Sequence, residues 1–370
     1  MKRLVIDVNS IVPYYVLGRM NGIGRTTLEL IQALSKVPDL PFEIVLYSQN
    51  MKGIGGRNTG LPFKNKHLYL PHRAKVDQLL ARFPVREWFT GYDLMHIPHN
   101  FEYVYRPDKC VVTIHDAMFF SYPESFLGHD FARENYPKFA RKAKAIITCS
   151  ENSKREIVEY MQIPEDKISV CYWGYNHQLF YPKDRIPNKY TGRSPYFFSA
   201  SCDIGRKNTI SILRAYELFL KQDPETELIL AWRNPPIDIK EKYTSSQYRD
   251  KIHFVSNITD EELSNLYSSA VAMFFPSKYE GFGLPVLEAM ASGTPVVTCD
   301  NSSLREVGGE AALYVAPEDI DSMAHIMEQF ENGSLDVDSI KKDGILQASK
   351  FSWETCARQT IEVYKKCLGI

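Results

Sequence analysis

The chain of 370 residues has no apolar run approaching the roughly 20 residues that a membrane-spanning helix needs. It has almost no net charge: 44 Lys and Arg against 45 Asp and Glu leave −1, so no overall pull toward nucleic acid or a lipid surface is implied. Its seven cysteines, Cys110, Cys149, Cys171, Cys202, Cys299, Cys356 and Cys367, are scattered and form no CxxC pair. That pattern excludes a recognisable zinc site or disulfide framework and fits reduced core thiols. The opening MKRLVIDVNS has an apolar stretch too short for a secretory signal, and Asp7 interrupts it. Also missing is the GxGxxG fingerprint of a dinucleotide site. Together these absences predict a cytoplasmic protein with no metal and no bound cofactor.

What is present is ordinary globular composition, 44% hydrophobic and 24% charged, over a length that favours two domains. Short β-rich apolar runs alternate with helical patterns, the signature of parallel sheets covered by helices. Strands are expected near Arg3–Asp7, Glu43–Tyr47, Leu94–Ile97, Cys110–His115, Ala145–Cys149 and Ser169–Cys171, with helices near Gly24–Ser35, Asp130–Lys142 and Glu151–Met161. Pro137 is expected to kink or break the second of these helices. The stretch Pro182–Pro195, with three prolines and several charges, is the linker candidate. The alternation resumes at Tyr196–Ser201 and continues through Leu228–Trp232, Ile252–Val255, Val271–Phe275, Pro295–Thr298 and Ala312–Val315. This predicts an α/β protein of two Rossmann-like halves, in which ligands lie beyond the carboxyl ends of the strands.

Four segments combine chemistry with that position. The densest is SKYEGFGLPVLEAMASG, Ser277–Gly293. An apolar strand runs into a glycine-containing turn, and a helix starts near Leu284 or Pro285. Such a turn aims backbone N–H groups at an anion, and Gly281 and Gly283 allow its close approach. Glu280 at the loop and Glu288 inside the helix can accept hydrogen bonds from two points of one ligand. A loop glutamate beside a solvated helical glutamate is the plain alternative. The second segment is SASCDIGRKN, where Arg206 and Lys207 precede a helix and can neutralise a diphosphate. An isolated Arg-Lys pair is more commonly a surface pair. The third, VVTIHD, ends a buried strand in His115 and Asp116, either an active-site pair or a capping pair. The fourth, RMNGIGRTT, places Gly22 and Gly24 before a helix, a second place where amides can meet a phosphate or an acceptor.

EGFGLPVLEAMASGTPVV, followed by NSSLREVGGEAALYV, resembles the glutamate–seven residues–glutamate motif of family 4 glycosyltransferases, and the likeness extends over the whole chain. The resemblance implies the GT-B fold: two Rossmann-like domains facing each other across a cleft, here 1–185 on the acceptor side and 186–352 on the nucleotide-sugar side. A helix at 353–370 would cross back to the first domain. It implies retention of anomeric configuration. Glu280 would contact hydroxyls of the transferred sugar and Glu288 the ribose, with Gly281, Phe282, Gly283 and Leu284 at the diphosphate. Arg206, Lys207 and Asn208 would bind the donor phosphates. His115 and Asp116 would lie at the donor sugar and Gly24 at the diphosphate and acceptor. The chain departs from the family at Ser201–Cys202, where a glycine followed by arginine or serine is common. The TIHD context resembles mannosyl- and galactosyltransferase-like members and implies a GDP-mannose donor, with a UDP-hexose as the other possibility.

The expected reaction is hexosyl transfer to a hydroxyl of a glycan or lipid-linked saccharide, as in surface polysaccharide or lipopolysaccharide assembly. A catalytically silent scaffold subunit and a GT-B nucleotide-sugar epimerase are the rivals. Acidic triplets at Asp319–Asp321 and Asp336–Asp338 read as solvated helix faces. Between Met51 and Trp88, eight basic residues stand against Asp77 and Glu87, interleaved with Leu, Phe and Trp. That surplus suits peripheral contact with an anionic membrane surface at the inner face, or with a lipid-diphosphate acceptor. No nucleic-acid recognition motif accompanies it.

Overall fold

The computed structural model describes residues 1–17, 21–51, 59–125, 127–244 and 248–370. They form two compact units, Met1–Gly174 with Ser352–Ile370, and Tyr175–Phe351.

The first unit is built on seven parallel strands in the order β3-β2-β1-β4-β5-β6-β7. These are β1 Lys2–Asp7, β2 Phe42–Gln49, β3 Lys64–Leu68, β4 Leu94–Ile97, β5 Cys110–Thr113, β6 Ala145–Thr148 and β7 Ile168–Val170. Central strands such as β4 and β5 are buried along their whole length, which is why their sequences are continuous apolar runs. Edge strand β3, KNKHL, buries only His67. Its polar sequence hides it from a reading based on apolar periodicity, as it does the two short helices that follow, Ala74–Leu80 and Val85–Thr90. The helix Gly22–Ser35 buries Thr26, Thr27, Leu30, Ile31 and Leu34 on one face, at the three- and four-residue spacing of an amphipathic helix. The helix His129–Lys142 runs unbroken through the buried Pro137. The anticipated break does not occur, since one lost ladder bond is tolerated where the rest of the helix is packed.

The helix Trp353–Leu368 belongs to this first unit. Trp353, Cys356, Ala357, Ile361 and Tyr364 enter the core beside Leu4, Ile6 and Ile31. Tyr364 Oη lies 2.6 Å from His96 Nδ1, and His96 Nε2 lies 2.8 Å from Thr113 Oγ1, so a buried chain of polar contacts ties the helix to β4 and β5. Burial holds the His96 ring neutral, with its pKa down at about 3. The chain leaves this unit after Gly174 and re-enters it at Ser352. A Cβ on Gly174 would lie only 2.1 Å from the Trp353 amide nitrogen, so glycine is the side chain that lets these segments touch.

The second unit has six parallel strands in the order β10-β9-β8-β11-β12-β13. They are β8 Tyr196–Ser199, β9 Glu227–Ala231, β10 Ile252–Val255, β11 Ala272–Phe275, β12 Val296–Thr298 and β13 Leu313–Tyr314. Aromatic packing fills the core, with the Phe197 ring edge-on to Phe219 and Phe274 at 5.6 and 5.2 Å. The Pro-rich stretch 182–195 lies inside this unit instead of bounding it. Lys183 Nζ donates to Ser264 Oγ at 2.7 Å and Lys189 pairs with Glu262 at 2.6 Å, so its charges serve to dock it on the helix Asp260–Ser269. In both sheets the strand order reverses about the first strand, between β1 and β4 and between β8 and β11. Ligands of doubly wound sheets collect at those reversals, beyond the strand carboxyl ends.

Candidate active site

In the second unit the two strands flanking the reversal feed the two segments richest in chemistry. β8 ends at Ser199 and leads to Arg206 and Lys207; β11 ends at Phe275 and leads to Glu280. The two loops meet. Glu280 is 7% exposed, and its Oε1 accepts from Lys207 Nζ at 2.6 Å and from Ser277 Oγ at 2.7 Å. Arg206 Nη1 lies 2.7 Å from its other oxygen, Oε2. Two cations therefore share one carboxylate, leaving one net positive charge in a largely dry site. Burial raises the Glu280 pKa, but Lys207 and Arg206 outweigh it and hold the carboxylate below its ordinary range. Burial likewise lowers Lys207, against the attraction of Glu280.

Backbone contacts fix this geometry. Lys278 N–H donates to Arg206 O at 2.8 Å and Arg206 Nη1 to Tyr279 O at 2.8 Å. Ser303 Oγ bridges to the carbonyls of Glu280 and Phe282 at 2.8 and 2.7 Å, and Ser302 Oγ accepts from Glu280 N–H at 3.0 Å. Four residues around these loops have left-handed backbones: Ser201 (φ 56°), Asn208 (φ 56°), Gly283 (φ 112°) and Ser302 (φ 46°). Strain of that kind gathers at functional sites, where the surroundings over-determine it. Ser277, Ser302 and Ser303 escaped the sequence reading because serine in a loop carries no distinctive signal. Their register with Glu280 comes only from the fold.

Helix Leu284–Ala291 begins at Gly283, and no side chain caps it, so the positive end of its dipole is not offset by a capping group. Gly281 and Phe282 lie in the approach to it, and the Phe282 ring packs edge-on against Phe351 at 5.9 Å. Glu288 falls within the helix and is buried, 4% exposed, which sets aside the picture of a solvated helical glutamate. Asn208 is directed elsewhere: its Nδ2 donates to the carbonyls of Pro276, at 3.2 Å, and Pro317. Its amide braces the loops against each other. Cys202 is buried and its Sγ donates to Ser199 O at 3.4 Å, so it adds no charge where the family commonly has arginine. Asp319 and Asp336 cap helices through Ser322 N–H and Ser339 N–H, a more specific role than solvated faces. Among the described residues no group of three or more His, Cys, Asp or Glu could hold a metal ion.

In the first unit a histidine lies just beyond the carboxyl end of β5. His115 is 7% exposed, and its Nε2 lies 3.1 Å from Pro98 O. A carbonyl only accepts, so Nε2 carries the proton. Burial pushes the ring pKa down to about 4, so Nδ1 keeps a lone pair at neutral pH, and it has no partner. His115 lines a small cavity with Thr26, Thr27, Thr113, Trp173 and Thr360. Asp116 Oδ1 accepts from Met118 N–H at 3.0 Å and shapes the following turn. Gly24 lies on the helix Gly22–Ser35. The helix already starts at Gly22, and the Gly24 N–H donates to Asn21 Oδ1 at 2.8 Å, so that amide is taken up by the helix cap. Arg19 and Met20 lie outside the described residues, as do Lys52 and Arg57 of the basic stretch.

Two doubly wound parallel-sheet units, with paired cations and a buried carboxylate at a strand-order reversal, define the GT-B class of glycosyltransferase. The family profile described as Glycosyltransferase Family 4 matches residues 20–179, and that described as Glycosyl transferases group 1 matches residues 182–347. The chain is 31% identical to the O-antigen chain mannosyltransferase B of Escherichia coli, across 94% of this chain and 96% of that one. It is 30% identical to the O-antigen chain mannosyltransferase RfbU of Salmonella typhimurium, across 60% of each. The chain belongs to glycosyltransferase family 4. Among solved structures, HepE of Anabaena in complex with UDP and glucose superposes with a TM-score of 0.74 at 17% identity, over 99% of this chain and all of that one. Sucrose-phosphate synthase of Thermosynechococcus elongatus gives 0.73 at 18% over the full length of both. These two likenesses establish the fold.

Proposed function

We propose that this enzyme transfers a mannosyl unit from GDP-mannose, with retention of configuration, to a hydroxyl of a glycan or lipid-linked saccharide. The named relatives that are mannosyltransferases of O-antigen chains support the sugar and the setting. HepE, solved with UDP-glucose, keeps a UDP-hexose as the second donor to test. The observation that carries the reading is the Arg206–Lys207–Glu280 cluster at the β8/β11 reversal. A departing nucleoside diphosphate develops negative charge there, and preorganised cations beside an uncapped helix end stabilise it without reorganisation. These groups supply the electrostatic work that a metal ion does elsewhere, and the reading assigns the enzyme no metal or cofactor.

Glu280 is a poor nucleophile, because both its oxygens are engaged by cations and its pKa is lowered. The reading therefore uses no covalent glycosyl-enzyme; the carboxylate and Glu288 accept hydroxyl hydrogen bonds. His115, neutral with a free Nδ1, accepts from a sugar hydroxyl in place of acting as a strong base. A cytoplasmic enzyme handling a lipid-linked acceptor would work at the inner membrane face, and the basic segment 51–88 is the surface assigned to it. The test is calorimetric titration with GDP, UDP, GDP-mannose and UDP-glucose, followed by product analysis with and without acceptor. Donor binding and acceptor-dependent release of nucleotide support transfer. Absence of binding favours a silent scaffold, and acceptor-independent change of the sugar favours an epimerase.

A further inference from the structure

His115 is held more firmly by its backbone than by its ring. Its N–H donates to Asn100 Oδ1 at 2.9 Å, and its carbonyl accepts from Cys149 Sγ at 3.1 Å and from Ser153 Oγ at 3.0 Å. The peptide is thus fixed from the segment after β4 on one side and from the end of β6 on the other. The ring has one hydrogen bond, to Pro98 O at 3.1 Å. The outer torsion of a histidine side chain is broad, so one bond at Nε2 leaves the direction of Nδ1 loosely set.

An aromatic face supplies the missing restraint. Trp173 lies three residues beyond β7, its ring centre 5.3 Å from that of His115 and the two planes tilted by 58°. Strands β5, β6 and β7 are consecutive neighbours, so residues just past their carboxyl ends share one edge of the sheet. Trp353, the first residue of the last helix, stacks on Trp173 at 6.5 Å and 26°. It reaches that place because glycine at 174 lets the departing and returning segments of the chain touch. Trp353 is buried in the core, and Trp173 packs partly buried against the same core, so the backing is rigid. All three rings line one cavity with Thr26, Thr27 and Thr360, which leaves the imidazole room to shift once the indole is gone. We propose that Trp173 is a positioning residue of the transfer reaction: backed by Trp353, its indole sets the plane of the His115 imidazole and so the direction of Nδ1. The inference rests on the reading that His115 meets a hydroxyl of the donor sugar, and it extends that reading to the two points where the chain leaves and re-enters the first unit.

Trp173→Leu keeps an apolar side chain and removes the flat face. It should lower kcat by about ten- to a hundred-fold, with little change in KM for the donor. In the His115→Ala background the same change should cost nothing further, because Trp173 acts through that ring. Trp173→Phe retains a face and should restore most of kcat; it also serves if the leucine variant does not fold. Imidazole NMR of the full chain without donor gives a readout independent of turnover. Burial holds the wild-type ring at about 4, and water entering the enlarged cavity of Trp173→Leu should move its titration up toward the ordinary 6.5, carrying the acid limb of transfer with it. His96 and His99, the titratable groups that act on this ring, are unaltered in the variant. An unmoved titration, or losses in Trp173→Leu and His115→Ala that add, overturns the proposal. Transfer undiminished by His115→Ala removes the sugar-hydroxyl reading and the positioning role with it, and the donor-free titration tells that failure from the other.

Discussion

Replacing Glu280 by Gln keeps the shape of the side chain and removes the one anion shared by two cations. Lys207 Nζ at 2.6 Å and Arg206 Nη1 at 2.7 Å would then face each other across a neutral amide, with only 11% of the lysine side chain exposed. Breaking a buried pair by removing one partner costs about 3–5 kcal/mol. Because Gln still offers a carbonyl acceptor, a loss near about 3 kcal/mol is expected, equivalent to about 6–12 °C for a unit of this size. The pH dependence is more telling than the size. Glu280 has a depressed pKa, so its stabilisation is present above the ordinary carboxylate value of 4.5 and is lost as pH falls through the folded value. Lys207, already lowered by burial, falls further without its counter-ion, and its deprotonation as pH rises relieves the unpaired charge. The gap between wild type and variant should therefore be widest near neutrality, persist down to about pH 4.5, and narrow below that value and again in alkali. A nucleoside diphosphate should restore more stability to the variant than to wild type, because it supplies the missing anion, while transfer falls by about a hundred-fold or more. Differential scanning fluorimetry across pH, with and without GDP or UDP, measures all of this. A gap that stays flat with pH, or equal stabilisation of both proteins by diphosphate, refutes the shared-anion account.

Two further outcomes follow from histidines of the first unit. The His115 pKa is down at about 4, below its unfolded value, so the folded state binds fewer protons and stability declines as pH drops from about 6.5 toward 4. His115→Ala should flatten that acid slope in chemical denaturation, cost about 1–3 kcal/mol at neutral pH for the orphaned Pro98 carbonyl, and reduce transfer; an unchanged slope would refute the neutral-ring assignment. His72 is the opposite case, pushed up to about 9 first by its hydrogen bond to Asp77, with Glu102 and Asp7 adding attraction. Its contribution is complete below about pH 6.5 and is lost as pH rises through about 9, so His72→Ala should be most damaging near pH 6 and almost silent at pH 10.

Much of this was readable from sequence because the relevant physics is local. β4 and β10 coincide with their apolar runs, and the turn before Leu284 follows from glycine and proline placement. The Glu280 and Lys207 segments stood out by their glycines, charges and place after a strand, and the family resemblance singled them out as donor-site candidates. Their ion pair was not, since it depends on β8 and β11 being sheet neighbours although 73 residues separate the partners. The partners of Gly24 and Asn208 were hidden for the same kind of reason: Asn21 in one case and two proline carbonyls in the other take up their donors, and the fold alone sets the second pairing. Helices Ala74–Leu80 and Val85–Thr90 were opaque because periodicity assumes that apolar side chains point inward, and in these two they do not.

The helix Trp353–Leu368 also constrains how the protein is made. Its Tyr364 and Ile361 help complete a core whose members outside this helix all precede Tyr175. All of Tyr175–Phe351 leaves the ribosome first, as one uninterrupted stretch with its own sheet and core, whereas the leading unit must wait for its last helix. During synthesis, then, the second unit is free to fold before the first, reversing the usual order along a chain. For that interval the face of the first sheet destined for Trp353 and Tyr364 stays uncovered and is a natural client surface for a chaperone.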